Sequence, residues 1–455
     1  MAPTRSRRAA LLAAVLVVLA GAGLVAAIVR GVFSSPSPAE LAAERAAAQA
    51  AAQQRAANRL LAKEQSIAAQ AEKLLTVRLP VQLGRRVPPI PPQLFKVATP
   101  PHLVIGFLPY WEMANTTSAD LADVSEIAYY SVGVSPSGAL IEQGPGWADL
   151  TTPGFPALVA RAHLDGDRVL LTVSNSTPSI IAAMLAHPVA AARRLMANVA
   201  PLLASNHLDG LDLDIEGRAS AERAAFVTFV RTVAAELRVT LPGAQLVVDT
   251  YPQSAASSSD FFDVAKLAPL VDQLFVMGYD MQDNAIASAT APLLSSSLGL
   301  SDVQALLQYE RVVPASKLVL GVPFYGYDFE TLNSAPGAPA LTPAPTAVDY
   351  RVIAAKRATA YWDPGSLTPY LRFRDGRQIH QTWYDDPLSI ALKTALAVHE
   401  HLAGVGVWAL GKQGSATAML NALDGDAPPL KLPLAPEAPS APTSLTPTAG
   451  ATAGG

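Results

Sequence analysis

The sequence predicts an α/β protein built on a (β/α)8 TIM barrel, and three observations carry the prediction. Eight short apolar segments alternate with helical stretches between Leu103 and Leu410, the pattern of a parallel sheet, and eight is the number that closes a barrel. Residues able to do chemistry recur at the C-terminal end of one segment after another, as barrel active sites require. The fourth segment carries a row of acids, Asp209, Asp212, Asp214 and Glu216, that an ordinary core strand would not tolerate.

The expected strands are Leu103–Leu108, Ile127–Val134, Arg168–Ser174, Leu208–Glu216, Gln245–Thr250, Gln273–Tyr279, Lys317–Pro323 and Gly404–Leu410. Phe226, Phe229, Val230, Val233 and Leu237 recur at helical spacing between the fourth and fifth strands, and Ile390, Leu392, Ala395 and Leu396 do so before the eighth. The stretch after the seventh strand, about 326–386, is too long for a structureless loop. It is rich in aromatics (Tyr350, Tyr361, Trp362, Tyr370, Phe373, Trp383, Tyr384), so it is expected to form a small α+β insertion. The barrel with this insertion should span 102–426.

Four segments flank it. Residues 1–34 hold Arg5, Arg7 and Arg8 followed by an uncharged run from Ala9 to Val29. The run is long enough to cross a bilayer, and the arginine bias places the N-terminus inside. It reads as a signal anchor; the alternative is a signal peptide cleaved near Ala20-Gly21-Ala22. In either case the rest of the chain is exported, tethered to the membrane or secreted. Residues 35–79 are alanine-rich and predict a helical stalk. Residues 80–101 form a stiff proline-rich linker, and 427–455 a disordered Pro/Ala/Thr tail.

Composition narrows the function classes. The chain has 455 residues and a net charge of −4, so it lacks the basic footprint of a nucleic-acid binder. With no cysteine and seven histidines, thiolate metal sites and disulfides are excluded, and neither a metal nor a cofactor is implied. Nothing indicates an oligomer, so a monomer is expected.

In an extended strand alternate side chains share a face, which puts Asp212, Asp214 and Glu216 together, roughly 7 Å apart at about 3.3 Å per residue. Stacked carboxylates shift one another's pKa values, and catalysis is the usual use of such a row. An EF-hand reading fails because the twelfth position is Arg223 and apolar Leu213 and Ile215 intervene. Around the acids, the strand ends supply Tyr110 and Trp111, Ser174 and Asn175, Asp249 and Tyr251, Met277, Tyr279 and Asp280, Tyr325, and Trp408. Acids ringed by aromatics suit a sugar: flat faces stack on pyranose rings while carboxyls handle the glycosidic oxygen.

These residues also match a family. Asp209-Gly210-Leu211-Asp212-Leu213-Asp214-Ile215-Glu216 resembles the D-G-x-D-x-D-x-E signature of glycoside hydrolase family 18, the chitinase-like hydrolases. Gln273–Asp280 is similar to that family's Q-x-x-x-M-x-Y-D segment, Lys317–Gly326 to its seventh strand, and Gly404–Trp408 to its eighth. The resemblance covers roughly Leu103 to Asp424. The chain departs from the pattern at Ser174-Asn175-Ser176, where many members have Ser-x-Gly-Gly, and at Tyr327, often Arg in chitinases. The insertion with Trp383-Tyr384-Asp385-Asp386-Pro387 looks closer to the bacterial cell-wall and spore-associated N-acetylglucosaminidases.

The resemblance implies an exported glycosidase cleaving β-1,4 bonds of a polysaccharide that contains N-acetylglucosamine (GlcNAc), chitin-like or peptidoglycan. It implies a substrate-assisted retaining mechanism, outside the two-carboxylate scheme. Glu216 is then the general acid and base. Asp214 orients the acetamido group, Asp212 tunes Asp214, and Tyr279 donates to the acetamido carbonyl. Trp408, Asp280, Met277, Trp111, Tyr110 and Tyr325 are expected to bind substrate, with Asp209 and Gly210 as structural support. The alternative is a catalytically silent, lectin-like barrel.

Overall fold

The computed structural model describes residues 103–424 apart from 117–120, 122, 295 and 297. The anchor, stalk, linker and tail expected at 1–34, 35–79, 80–101 and 427–455 lie outside the described residues. Within them, β1 (Leu103–Pro109), β2 (Glu126–Gly133), β3 (Arg168–Asn175), β4 (Gly210–Ile215), β5 (Gln245–Thr250), β6 (Gln273–Val276), β7 (Leu318–Pro323) and β13 (Gly404–Trp408) form a closed barrel in the order β1-β13-β7-β6-β5-β4-β3-β2. Every neighbouring pair is parallel. The eight expected strands are these eight.

The barrel closes because its interior is filled from both sides. A Cβ on Gly321 of β7 would sit 2.6 Å from the Phe275 ring, and one on Gly406 of β13 would sit 2.5 Å from it. The missing side chains make room for Phe275, on β6, against which Phe107 of β1 packs edge-on at 4.9 Å. Outside, the Arg223–Thr240 helix buries Phe226, Phe229, Val230, Val233 and Leu237, the stripe expected from spacing. The Pro387–His399 helix starts sharply because Asp386 and Ser389 cap it reciprocally and proline takes its first turn.

Two strands are shorter than their apolar runs. The expected strand over Leu208–Glu216 begins at Gly210; the Asp209 amide and carbonyl still bond to Val169 and to Gln245, while its side chain accepts the Val169 amide and contacts His163. Glu216 lies one residue past the strand. The expected Gln273–Tyr279 strand ends at Val276; beyond it the Tyr279 amide turns back to the Met277 carbonyl, and Asp280 has φ +56°.

The insertion is a five-stranded antiparallel sheet, ordered β10-β11-β12-β8-β9. Its strands are β8 (Tyr325–Thr331), β9 (Thr346–Asp349), β10 (Thr359–Asp363), β11 (Thr368–Asp375) and β12 (Gln378–Tyr384), with a helix at Tyr350–Ala355. The sheet runs from Tyr325 to Tyr384. Its aromatics serve mostly as its own core: Tyr370 stacks on Trp383 with centroids 4.5 Å apart, over Phe329, Ala287 and Ala289.

Candidate active site

The site grows out of the C-terminal ends of β4, β5 and β6. Asp212 is fully buried on β4 and accepts a 2.9 Å hydrogen bond from the Thr172 hydroxyl, its register partner on β3. Asp214 follows two residues on, also buried. Asp249 on β5 is buried beside them and interacts with Asp212. Three carboxyls packed away from water cannot all be ionised cheaply. Burial, offset by Thr172, holds Asp212 at about 7. Burial, reinforced by the neighbouring Glu216 and Asp212, holds Asp214 well above the usual carboxylate range. Burial and the charges of Asp212 and Asp214 do the same to Asp249.

Glu216 is different. Its side chain is 27% exposed, and it lines an open cleft with Arg218, Tyr251, Met277, Tyr279 and Asp280. Desolvation raises its pKa, the Arg218 guanidinium and the Tyr251 hydroxyl pull it back, and Asp280 pushes it up again. The Arg218 contact is long, 3.5 Å. The Tyr251 hydroxyl approaches Glu216 without completing a hydrogen bond. Tyr251 is itself fixed from behind, since the buried Tyr309 hydroxyl donates to its carbonyl at 2.6 Å.

The irregular segment after β6 delivers the other wall. Met277 and Tyr279 are nearly buried, and both reach the cleft. Burial and the charges of Asp249 and Asp214 keep the Tyr279 phenol protonated, its pKa well above the ordinary value, so it remains a hydrogen-bond donor. Asp280 accepts a 2.5 Å hydrogen bond from Tyr325, so Tyr325 is engaged in holding Asp280 and its ring packs against Tyr279.

Aromatics from β1, β2 and β13 form a second group. Trp408 is half-buried at the end of β13, edge-to-face with Tyr130 of β2 at 4.5 Å. Tyr130 also meets Trp111 at 6.1 Å, and Trp111 meets Tyr110 at 4.7 Å. Trp111, at 45% exposure, is the most open of these rings. The Tyr130 hydroxyl interacts with Asp214 and draws its raised pKa down, which ties this aromatic group to the acids.

Asp209 and Gly210 stand at the other end of β4. Asp209 accepts the Val169 amide at 2.7 Å and contacts His163 at 2.9 Å. A Cβ on Gly210 would lie 2.4 Å from the Gln245 carbonyl oxygen, so only glycine lets β4 and β5 meet here. Among the described residues no group of His, Cys, Asp and Glu is arranged to hold a metal ion.

Three residues without an expected role stand beside the site: Asp249 and Tyr251, which the sequence places at a strand end, and Tyr130, which it does not single out. Tyr130 is hidden within the apolar run of the second strand, and only the register of β2 against β1 and β3 brings it to Asp214.

The match to known proteins covers the same ground. Residues 103–413 fit the model of "Glycosyl hydrolases family 18". The chain is 31% identical over 293 residues to di-N-acetylchitobiase of Rattus norvegicus, an alignment covering 58% of this chain and 76% of that protein. In fold it resembles a family 18 chitinase of Cycas revoluta solved with (GlcNAc)3, at TM-score 0.61 and 20% identity over 71% of this chain and 99% of that one. A chitinase-like agglutinin of Robinia pseudoacacia superposes equally well, also at TM-score 0.61 and 20% identity, over 71% of this chain and 99% of that one. The chain belongs to the family 18 glycosyl hydrolases and is a glycosidase.

Proposed function

We propose that the protein hydrolyses β-1,4 linkages next to GlcNAc, chitin-like or in peptidoglycan, by a retaining, substrate-assisted mechanism. The observation that carries this reading is the asymmetry of the acids. Glu216 opens onto the cleft, while Asp214, Asp212 and Asp249 lie buried behind it. A raised pKa lets Glu216 hold a proton for the leaving oxygen. The other carboxylate lining the cleft, Asp280, is engaged by the Tyr325 hydroxyl, and the proposal gives the nucleophile's part to the acetamido oxygen of the substrate.

In the first step the acetamido oxygen bonds to the anomeric carbon as the glycosidic bond breaks, and the Glu216 proton moves to the departing oxygen. Asp214 orients the acetamido nitrogen and balances the positive charge of the oxazolinium, with Asp212 and Asp249 setting its proton affinity. Tyr279, kept protonated, donates to the acetamido oxygen. In the second step Glu216 takes a proton from water, which adds to the anomeric carbon and reopens the ring with retention. Trp408, Trp111 and Tyr110 offer faces for sugar stacking, and Asp280 with Tyr325 a polar contact. Export, through the N-terminal segment as anchor or cleaved signal, completes the proposal and places the enzyme where such polymers occur.

Glu216→Gln tests the reading. Turnover of GlcNAc oligosaccharides should fall by about 10² to 10⁴, with the thermal melt unchanged. Unaltered turnover would rule Glu216 out as the acid. A lectin-like barrel would instead bind these oligosaccharides and release no product, and product analysis on chitin oligosaccharides and purified peptidoglycan separates the two.

A further inference from the structure

Arg218 supplies the cleft with a cation that a neutral polymer gives no evident use. It is the one Lys or Arg among the residues lining the cleft, and its side chain is 65% exposed. Its guanidinium lies over the Tyr251 ring, 4.3 Å from the centroid; that ring packs edge-on against Phe262, and the Tyr251 backbone carbonyl accepts from Tyr309. The backbone before it is pinned as well: a Cβ on Gly217 would lie 2.2 Å from the Phe261 ring. The group is therefore held in place two residues from Glu216, with a fork of N–H donors facing the cleft.

Those donors are nearly idle. Arg218 makes one hydrogen-bonded contact among the described residues, to Glu216 at 3.5 Å, whereas a charge-assisted bond runs to about 2.7–2.9 Å. The contact also works against catalysis, since a cation there weakens the grip of the general acid on its proton. A carboxylate delivered by the substrate would satisfy the fork in the bidentate geometry guanidinium favours, and would relieve Glu216 of the cation at the same moment.

Resting on the glycosidase mechanism above, we infer that Arg218 is a specificity-determining residue that binds a carboxylate on a sugar flanking the scissile bond. The preferred substrate is then a GlcNAc polymer whose alternate units carry a free carboxylate, as the lactyl ethers of peptide-free glycan strands do, over neutral chitin or strands whose lactyl groups are amidated.

Three oligosaccharides of matched length test it: a chitin oligosaccharide, one alternating GlcNAc with its lactyl ether, and the latter with its carboxylates converted to amides. The wild type should show kcat/KM at least about tenfold higher for the carboxylate than for the amide form, the worth of one good charged contact. Arg218→Met should bring that ratio close to one, and Arg218→Lys should leave it in between. Each ratio is taken within one enzyme, so the altered acidity of Glu216 cancels. Arg218→Gln, checked by thermal melt, serves if the Met variant misfolds. A wild-type ratio near one, or a ratio unchanged in both Arg218→Met and Arg218→Gln, overturns the inference and leaves the mechanism standing if the chitin oligosaccharide is still cleaved. Failure to cleave any of the three overturns both.

Discussion

Tyr130 and Trp408 meet edge to face, ring centroids 4.5 Å apart and planes at 82°. They come from β2 and β13, the two strands that flank β1, and Phe107 of β1 touches both rings. Tyr130 thus has two duties: its ring holds the wall of Trp408, and its hydroxyl serves Asp214.

Tyr130→Phe separates them. The ring contact survives while the hydroxyl is lost, so Asp214 should become still harder to ionise. We expect kcat to fall by about 10² with KM nearly unchanged. Tyr130→Ala should damage both constants. Steady-state kinetics on one GlcNAc oligosaccharide distinguishes them.

The pH profile should report the Glu216–Arg218 contact. Glu216 must be protonated to act as the acid, so activity falls as pH rises through its pKa. Burial raises that pKa and Arg218 lowers it. Arg218→Met removes the lowering influence, and the alkaline limb of kcat/KM on a neutral substrate should move to higher pH, by up to about one unit.

Stability has its own titrating group, Glu126. It is fully buried where β2 begins, 3.4 Å from the half-exposed Arg168, and burial raises its pKa from 4.5 to about 7. Between those values the folded chain holds a proton that the unfolded chain has released, so stability falls as pH rises through this window. Glu126→Gln cannot lose that proton. Its melting temperature relative to wild type should therefore climb from about pH 4 to about pH 8, by the equivalent of a few kcal/mol, as differential scanning calorimetry would show.

The insertion is fastened to the barrel by charge. Arg351, just after β9, makes a bidentate pair with Glu112 at 2.7 and 2.8 Å, and Glu112 is 3% exposed beside Trp111. Asp349 joins them through Arg351 at 2.9 Å and Lys412 at 2.5 Å. Arg351→Met leaves the buried Glu112 carboxylate with the Asn115 amide as its remaining side-chain hydrogen-bond donor. The expected cost is about 2 kcal/mol, below the full figure for a buried pair because Arg351 is partly exposed. Urea denaturation would measure it, and Arg351→Lys should recover part of the loss.

Much of the fold was legible because barrel strands are buried on both faces and read as continuous apolar runs. The acidic row was legible for the opposite reason: Asp212 and Asp214 have no place in such a run unless they are used. What could not be read was where a run stops being a strand. Leu208–Asp209 and Met277–Tyr279 border β4 and β6 in sequence; Asp209 and Met277 keep single bonds to neighbouring strands, and regular pairing ends where the Tyr279 amide turns back to Met277. Contacts that depend on register were equally hidden. Trp383, which composition could assign to a sugar platform or to a core, proves to be a core residue, and Tyr130, which looked like core, stands at the acids.

Where the insertion leaves and rejoins the barrel also matters for its history. Only Phe324 separates β7 from β8, and Gly326 of β8 pairs with Tyr384 of β12 just before the next helix begins. The chain departs and returns at neighbouring points, so the barrel experiences this whole sheet as it would a tight hairpin. A lineage could enlarge, shrink or exchange the sheet at that junction without disturbing the order of barrel strands, and substrate range could change while the acids of β4 stayed as they are.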